Sequence, residues 1–126
     1  MTLPHRGAAK INSMRYDHPA PVTHHEFDAI LRGGDTSHIA RALIGAALSG
    51  DGRQWIEPQA LALLRHNDHT VARAAILTLG HLARIHRTLD PGTLPALEAM
   101  RGIPELAGAI DDAIDDIGQF LPADPA

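Results

Sequence analysis

Apolar residues recur along most of the chain at the three- and four-residue spacing of amphipathic helices. The pattern is densest from Leu63 to Leu82. There it predicts the end of one helix, a polar turn at residues 66–68 and a longer helix that begins near Asp68. Apolar residues nearly encircle this longer helix and leave a narrow polar stripe of Arg73, Arg84 and Arg87, with Gly80 between them. A helix of this kind is typical of the middle of a stack, where neighbours cover several of its sides.

Capping residues mark the ends of the predicted helices in the first half of the chain. Thr23 and Glu26 have the spacing of a capping box at the start of the first helix, and Gly33–Gly34 end it. The cap of the second helix is Asp35, Thr36 or Ser37, and Gly50 lies where its C-terminal cap would be. A turn at Asp51–Gly52 follows.

Prolines and glycines organise the second half in the same way. Pro58 either begins the third helix or kinks it. Asp90–Pro91 predict the cap and first position of a short fifth helix, which Gly102 ends. Pro104 starts the last helix, which runs to Leu121. Together these signals predict six helices in three hairpins.

The predicted hairpins resemble one another in sequence. Residues 30–35 match residues 63–68, residues 39–44 match residues 71–76, and a looser third copy covers residues 100–117. A single helical pair cannot bury its own apolar face, so stacking of the pairs is required for stability. The repeats therefore predict a stack rather than an open chain of helices.

The middle copy resembles a HEAT-type repeat. Val71, Ala74–Ala75 and Leu79–Gly80, preceded by Asp68, are similar to the second helix of that repeat. The resemblance covers about residues 24–121 and implies an all-α fold, an α-α superhelix of three HEAT-like hairpins. One position departs from the family pattern, because Ala72 follows the valine where the family usually has an arginine. The arginine comes one residue later, at Arg73.

Composition narrows the classes of protein. Hydrophobic residues make up 44% of the chain but aromatic residues only 3%, so the core must consist of Ala, Leu and Ile, which suits closely packed helices. The formal net charge of −4 argues against a dedicated nucleic-acid binder. With no cysteine, the chain has no disulfide and no thiolate metal site. No apolar run approaches a membrane span and no secretory segment begins the sequence, so we expect a cytoplasmic protein that does not bind membranes.

The 126 residues suit one domain between two polar ends. Residues 1–22 form a basic, proline-containing arm, residues 23–121 the helical repeat domain, and residues 122–126 a short tail. The arm is either a flexible tail or a segment that packs along the body through Ile11, Met14 and Tyr16.

The last predicted helix region is strongly acidic, and no lysine or arginine within the helix offsets its carboxylates. A solvated outer face of a terminal repeat, a docking surface for a basic partner and a divalent metal site are all possible interpretations. The spacing matches no calcium-loop signature, and the sequence predicts neither a metal nor a cofactor. The acidic candidates for partner binding are Glu105, Asp111, Asp112, Asp115 and Asp116.

Arginines and the sole tryptophan complete the candidate partner-binding residues. Arg41 and Arg73 recur at the same place in two repeats. The stripe of Arg73, Arg84 and Arg87 either faces a concave groove, pairs with the turn aspartates Asp35 and Asp68, or extends its charged ends to water from between helices. Trp55 either packs between repeats or anchors an interface. Nine histidines are many for this length, but they form no metal-binding motif and are expected on the surface or at caps.

No nucleophile motif or phosphate loop occurs in the sequence, so we expect a non-enzymatic protein-binding module. The resemblance to short bacterial HEAT-like proteins implies, most concretely, an immunity protein that binds a basic toxin domain such as a nuclease. Alternatives are a scaffold, adaptor or lyase-like client-binding protein, and a DNA-binding protein of the alkylpurine glycosylase type that would use Arg41, Arg73 and Arg84. The protein is expected to be a monomer or a weak homo-oligomer.

Overall fold

Helices dominate the part of the chain that the computed structural model describes, residues 22–48 and 52–122. These residues contain no strand and six helices, which confirms the predicted all-α fold of three stacked hairpins. The basic arm up to residue 21, the predicted cap at Gly50, Asp51 of the predicted turn and residues 123–126 of the tail lie outside them. The helices are α1 His24–Gly33, α2 Thr36–Leu48, α3 Arg53–Leu63, α4 His69–His86, α5 Thr93–Glu98 and α6 Ala107–Phe120.

Local capping contacts begin the helices where the sequence predicts them. The Thr23 hydroxyl accepts the backbone N–H of Glu26 at 3.0 Å, and the Glu26 carboxylate accepts the N–H of Thr23 at 2.8 Å. Gly34 ends α1 in the left-handed region at φ 77°, which favours glycine. Asp35 accepts the N–H of His38 at 2.9 Å, and Asp68 accepts that of Thr70 at 2.8 Å. The predicted capping box is therefore confirmed, Asp35 is the cap among the three candidates, and α4 begins next to Asp68 as predicted.

Two predicted helix starts are wrong, and one open alternative is resolved. Pro58 lies inside α3, which begins five residues earlier at Arg53, so Pro58 does not begin this helix. Asp90 and Pro91 precede α5 without capping it, because the Asp90 side chain accepts a hydrogen bond from Arg53 instead. The last helix begins at Ala107 rather than Pro104.

The segment between α5 and α6 explains the late start of α6. Helix α5 ends at Glu98, and turns rather than helix follow as far as Leu106. In these turns Leu106 donates its N–H to the Ile103 carbonyl, three residues back. Gly102 lies within them rather than at a helix end.

Helix α4 lies at the centre of the stack. It packs most extensively against α2 on one side and α6 on the other, while α3 covers a third side. This confirms the central position that was predicted from the apolar residues nearly encircling this helix. Ten of its eighteen residues are buried, namely Val71, Ala72, Ala74, Ala75, Ile76, Thr78, Leu79, Gly80, Leu82 and Ala83.

The six helices form two layers. Helices α2, α4 and α6 pack directly against one another in sequence order. In the other layer, side chains connect α3 to its neighbours: Trp55 contacts His24 and Phe27 of α1, and Glu57 accepts a hydrogen bond from Thr93 of α5. None of the helices in the described residues is long and apolar enough to cross a membrane.

Candidate protein-binding face

The layer of α2, α4 and α6 presents an exposed side that we call the outer face. We define it by Arg41 and Leu48 of α2, Arg73, Leu77 and Arg84 of α4, and Asp112 and Asp116 of α6. All seven are exposed except Asp116, which is half-buried. On α4 the exposed positions recur every three to four residues, because neighbours cover the other sides of this helix.

Arg73 connects the outer face to the chain segment that leads into α6. Its Nη2 donates a hydrogen bond to the backbone carbonyl oxygen of Glu105 at 2.7 Å. Within the described residues Arg73 forms no ion pair with Asp35 or Asp68, which accept capping hydrogen bonds from their own helices. Of the alternatives for the arginine stripe, pairing with a turn aspartate therefore does not apply to Arg73. The Glu105 side chain itself is exposed.

Gly80 brings α6 close to α4. A Cβ atom placed at Gly80 would lie 3.2 Å from Oδ2 of Asp116 and 3.7 Å from Cα of Ala113. Gly80 is therefore buried under α6, rather than part of an exposed polar stripe as its position between arginines indicated. The exposed stripe of α4 instead contains Leu77.

The five acidic candidates do not share one surface. At about 100° per residue, Asp112 and Asp116 lie about 40° apart on α6, whereas Asp111 and Asp116 lie about 140° apart. Asp116 borders α4, but Asp111 is 3.5 Å from Nε of Arg101, in the turns that precede α6. Asp115 is exposed on the same side as Asp111. The structure thus brings Asp112 and Asp116 to the outer face, beside the arginines of α4.

His81 lies at the seam between α4 and α6. Because an arginine side chain can only donate hydrogen bonds, Nη2 of Arg84 donates to Nδ1 of His81. The proton of the neutral His81 ring therefore lies on Nε2. Burial lowers the pKa of His81, and the positive charge of Arg84 lowers it further, while the Asp116 carboxylate partly opposes both. His81 is therefore neutral at neutral pH, and the net charge of this seam comes from Arg84 and Asp116.

Trp55 lies in the other layer, away from the outer face. Its ring stacks on that of His24 with centroids 3.7 Å apart, and it meets the edge of Phe27 at 5.2 Å. It is half-buried. These contacts match the interpretation of Trp55 as packing between repeats, and the structure does not group it with the other candidate residues.

Sequence reasoning missed two features. Leu48 and Leu77 are 39% and 40% exposed, which places large apolar side chains among the arginines. The spacing of Leu77 four residues after Arg73 and seven before Arg84 was the available signal. The second feature is Glu57, which is fully buried. Its carboxylate accepts hydrogen bonds from Arg53 at 2.6 Å, from the N–H of Asp90 at 3.0 Å and from the Thr93 hydroxyl at 2.5 Å.

The outer face combines arginine, apolar and acidic side chains. Within the described residues, no group of three or more His, Asp or Glu side chains could hold a metal ion. Arginine is enriched at protein interfaces, and the buried core of an interface is more apolar than the rest of the surface. Carboxylates beside them give the face two regions of opposite charge.

A comparison with solved structures found a chain whose fold is similar to that of this protein. A chain in the crystal structure of a CDI complex from Cupriavidus taiwanensis LMG 19424 matches with a TM-score of 0.74 and 28% sequence identity. The match covers 83% of this chain and 96% of that chain. No protein-family model matches the sequence, and the search of curated proteins found no match.

Proposed function

We propose that this protein is an immunity protein that binds and neutralises a cognate toxin domain without catalysing a reaction. The observation that carries the proposal is the likeness to a chain of a CDI complex over nearly all of that chain. CDI stands for contact-dependent inhibition, in which an immunity protein neutralises a toxin domain. The resemblance to HEAT-type repeats stays a prediction. The function that it implies agrees with this proposal.

The outer face is the proposed contact surface for the toxin domain. Leu77 supplies exposed apolar area beside two arginines, and arginine is enriched among residues that dominate binding energy. Asp112 and Asp116 supply negative charge on the adjacent helix. Complementary charge steers association and selects partners, so the acidic side suits a basic toxin domain such as a nuclease.

Native co-purification from the source cell, followed by mass spectrometry, tests the partner. The expected result is a one-to-one complex with a toxin domain. Recovery of the protein as a free chain, or with a partner that has no toxin domain, contradicts the proposal.

Charge reversal then tests the face. The double variant Asp112→Lys/Asp116→Lys is expected to weaken binding to the co-purified domain at least about tenfold, since like charges would then meet across the interface. The matched control is Asp28→Lys/Glu98→Lys, which makes the same charge change at exposed positions of the other layer. Equal affinity of the two double variants would show that the acidic side is not the contact surface.

Leu77→Ala tests the apolar part of the same face. Because Leu77 is exposed in the free protein, its truncation is expected to leave the thermal midpoint nearly unchanged. Binding should weaken about tenfold or more, because the variant buries less apolar area in the contact. Ala substitution of Ile85, another exposed apolar residue of α4, is the control and should leave affinity unchanged.

A further inference from the structure

A pocket of about 300 Å³ opens between the second and third hairpins, outside the outer face. It lies where the turn between α3 and α4 meets the turns between α5 and α6. Its size is at the lower end of the range for small-molecule sites. Such a pocket can enclose a compact group rather than a large ligand.

The floor of the pocket is apolar. Leu64, Met100 and Leu106 line it and are 2%, 5% and 0% exposed, respectively. These side chains come from both hairpins, so the stacking of the hairpins builds the floor. An aromatic or branched aliphatic group would lose contact with water there, which favours binding.

The rim of the pocket carries hydrogen-bond donors. Arg65, His66, Asn67 and His69 line it, and all four belong to the turn between α3 and α4 or the first residue of α4. Within the described part of the chain, Arg65 forms no ion pair or hydrogen bond, so its guanidinium is available to a ligand. No carboxylate is among the described residues that line the pocket.

The turn fixes the ring of His66. Its Nδ1 accepts the backbone N–H of Asp68 at 3.0 Å, so the neutral ring carries its proton on Nε2 as a donor. The Asp68 carboxylate accepts the N–H of Thr70 at 2.8 Å at the start of α4. A contact with the backbone thus fixes the His66 ring before any ligand arrives.

We propose that this pocket binds a carboxylate attached to an aromatic or branched aliphatic group. The apolar part occupies the floor, and the carboxylate accepts hydrogen bonds from Arg65 and the neighbouring donors at the rim. Such a group occurs in a free organic acid and at the C-terminal residue of a peptide. The site is separate from the proposed toxin-binding face and does not depend on it.

NMR titration of the full chain with 2-naphthoate tests the proposal, with 2-naphthamide as the neutral match. The acid is expected to shift the backbone amides of Asn67, Met100 and Leu106 with a Kd of about 1 mM or lower. The amide should bind at least about fivefold more weakly, because it lacks the charge that strengthens hydrogen bonds to Arg65. Acetyl-Gly-Phe and its C-terminal amide form a second pair, which distinguishes a peptide end from a free acid.

Two variants connect any binding to this pocket. Arg65→Gln is expected to weaken binding of the acid about tenfold, whereas Arg32→Gln, an exposed arginine of α1, should have no effect. Ala99→Trp places a large ring at an exposed lining position and should abolish binding, and Ala62→Trp on the exposed side of α3 is its control.

Three results would overturn the proposal. They are equal affinity for acid and amide in both pairs, no shift of these amides at about 10 mM of either acid, and unchanged affinity in Arg65→Gln. None of them bears on toxin binding, so failure here leaves the proposed function standing. Loss of the toxin complex would likewise leave this site in place.

Discussion

Arg73 of α4 holds the backbone carbonyl of Glu105 through a hydrogen bond of 2.7 Å. The two residues are thirty-two positions apart in sequence. The bond secures the turns before α6, whose N-terminus has no side-chain cap. Arg73 therefore stabilises the position of the acidic helix as well as contributing charge to the outer face.

Arg73→Ala should lower the free energy of unfolding by about 1 kcal/mol, the net value of a hydrogen bond in a folded protein. Urea denaturation measures this directly. Arg41→Ala is the matched control, since Arg41 occupies the equivalent position of the first repeat and makes no hydrogen bond or ion pair within the described residues. Equal destabilisation by both changes would mean that the bond to Glu105 contributes nothing specific.

The buried carboxylate of Glu57 should matter more for stability. Glu57→Ala removes the acceptor for Arg53, the Asp90 N–H and the Thr93 hydroxyl. Arg53 keeps its hydrogen bond to the Asp90 side chain at 3.2 Å, whereas the Asp90 N–H and the Thr93 hydroxyl lose this acceptor. The expected loss is about 3 kcal/mol in the free energy of unfolding. The Glu57 carboxylate raises the pKa of Arg53 by accepting its hydrogen bond. The guanidinium stays charged without that partner, because arginine is not deprotonated in proteins.

Glu57→Gln provides the comparison for that loss. It keeps the size of the side chain and one acceptor oxygen. The free energy of unfolding of Glu57→Gln should therefore fall between that of the wild type and that of Glu57→Ala. Glu26→Ala removes a carboxylate at the exposed capping box and should cost less than Glu57→Ala. If Glu57→Ala and Glu26→Ala cost the same, the buried network does not connect α3 to α5 as the contacts indicate.

The fold was predictable where local chemistry determines it. Thr23 and Asp68 cap helices through contacts two or three residues away, and such spacings can be read directly from a sequence. Asp90 looked like a cap for the same reason. Its carboxylate instead meets Arg53, thirty-seven positions earlier, and no local pattern reveals that contact. The start of α5 was therefore predicted wrongly, because a tertiary contact occupies the Asp90 side chain in place of the local cap.

The candidate face was predictable in composition but not in arrangement. The sequence identified Asp112, Asp116 and Arg73, and the structure places these three on one side of one layer. It could not separate Asp111 from Asp116, because that separation depends on which side of α6 packs against α4. Trp55 was grouped with them only by residue type, and the layer that it occupies depends on tertiary packing.

Thr78 is a site where the native residue is not the most stabilising one. It is fully buried in α4, and among the described residues its hydroxyl oxygen has no hydrogen-bond partner. Valine has nearly the same shape without the hydroxyl. Thr78→Val should therefore raise the free energy of unfolding by about 1 kcal/mol, which urea or thermal denaturation will show. Thr88→Val, at an exposed position just after the same helix, is the control; a destabilised Thr78→Val would reveal an unrecognised partner.

His81 should make the stability of the protein sensitive to mild acid. In the folded state the pKa of His81 is lowered by burial and then by Arg84. In the unfolded chain histidine has a pKa of about 6.5. Below that pH the unfolded chain therefore binds more protons than the folded one, so stability falls as the pH decreases. Urea denaturation between about pH 7 and pH 5 measures the slope.

Two variants give the sign of the His81 effect. His81→Gln removes the titrating ring and should flatten the decline in stability over that range. Asp116→Asn removes the carboxylate that opposes the shift, so it should lower the pKa of His81 further, as followed by NMR of the ring, and steepen the decline. A decline in His81→Gln as steep as in the wild type would assign the acid sensitivity to another group. A raised pKa of His81 in Asp116→Asn would mean that Asp116 does not face the ring across the seam between α4 and α6.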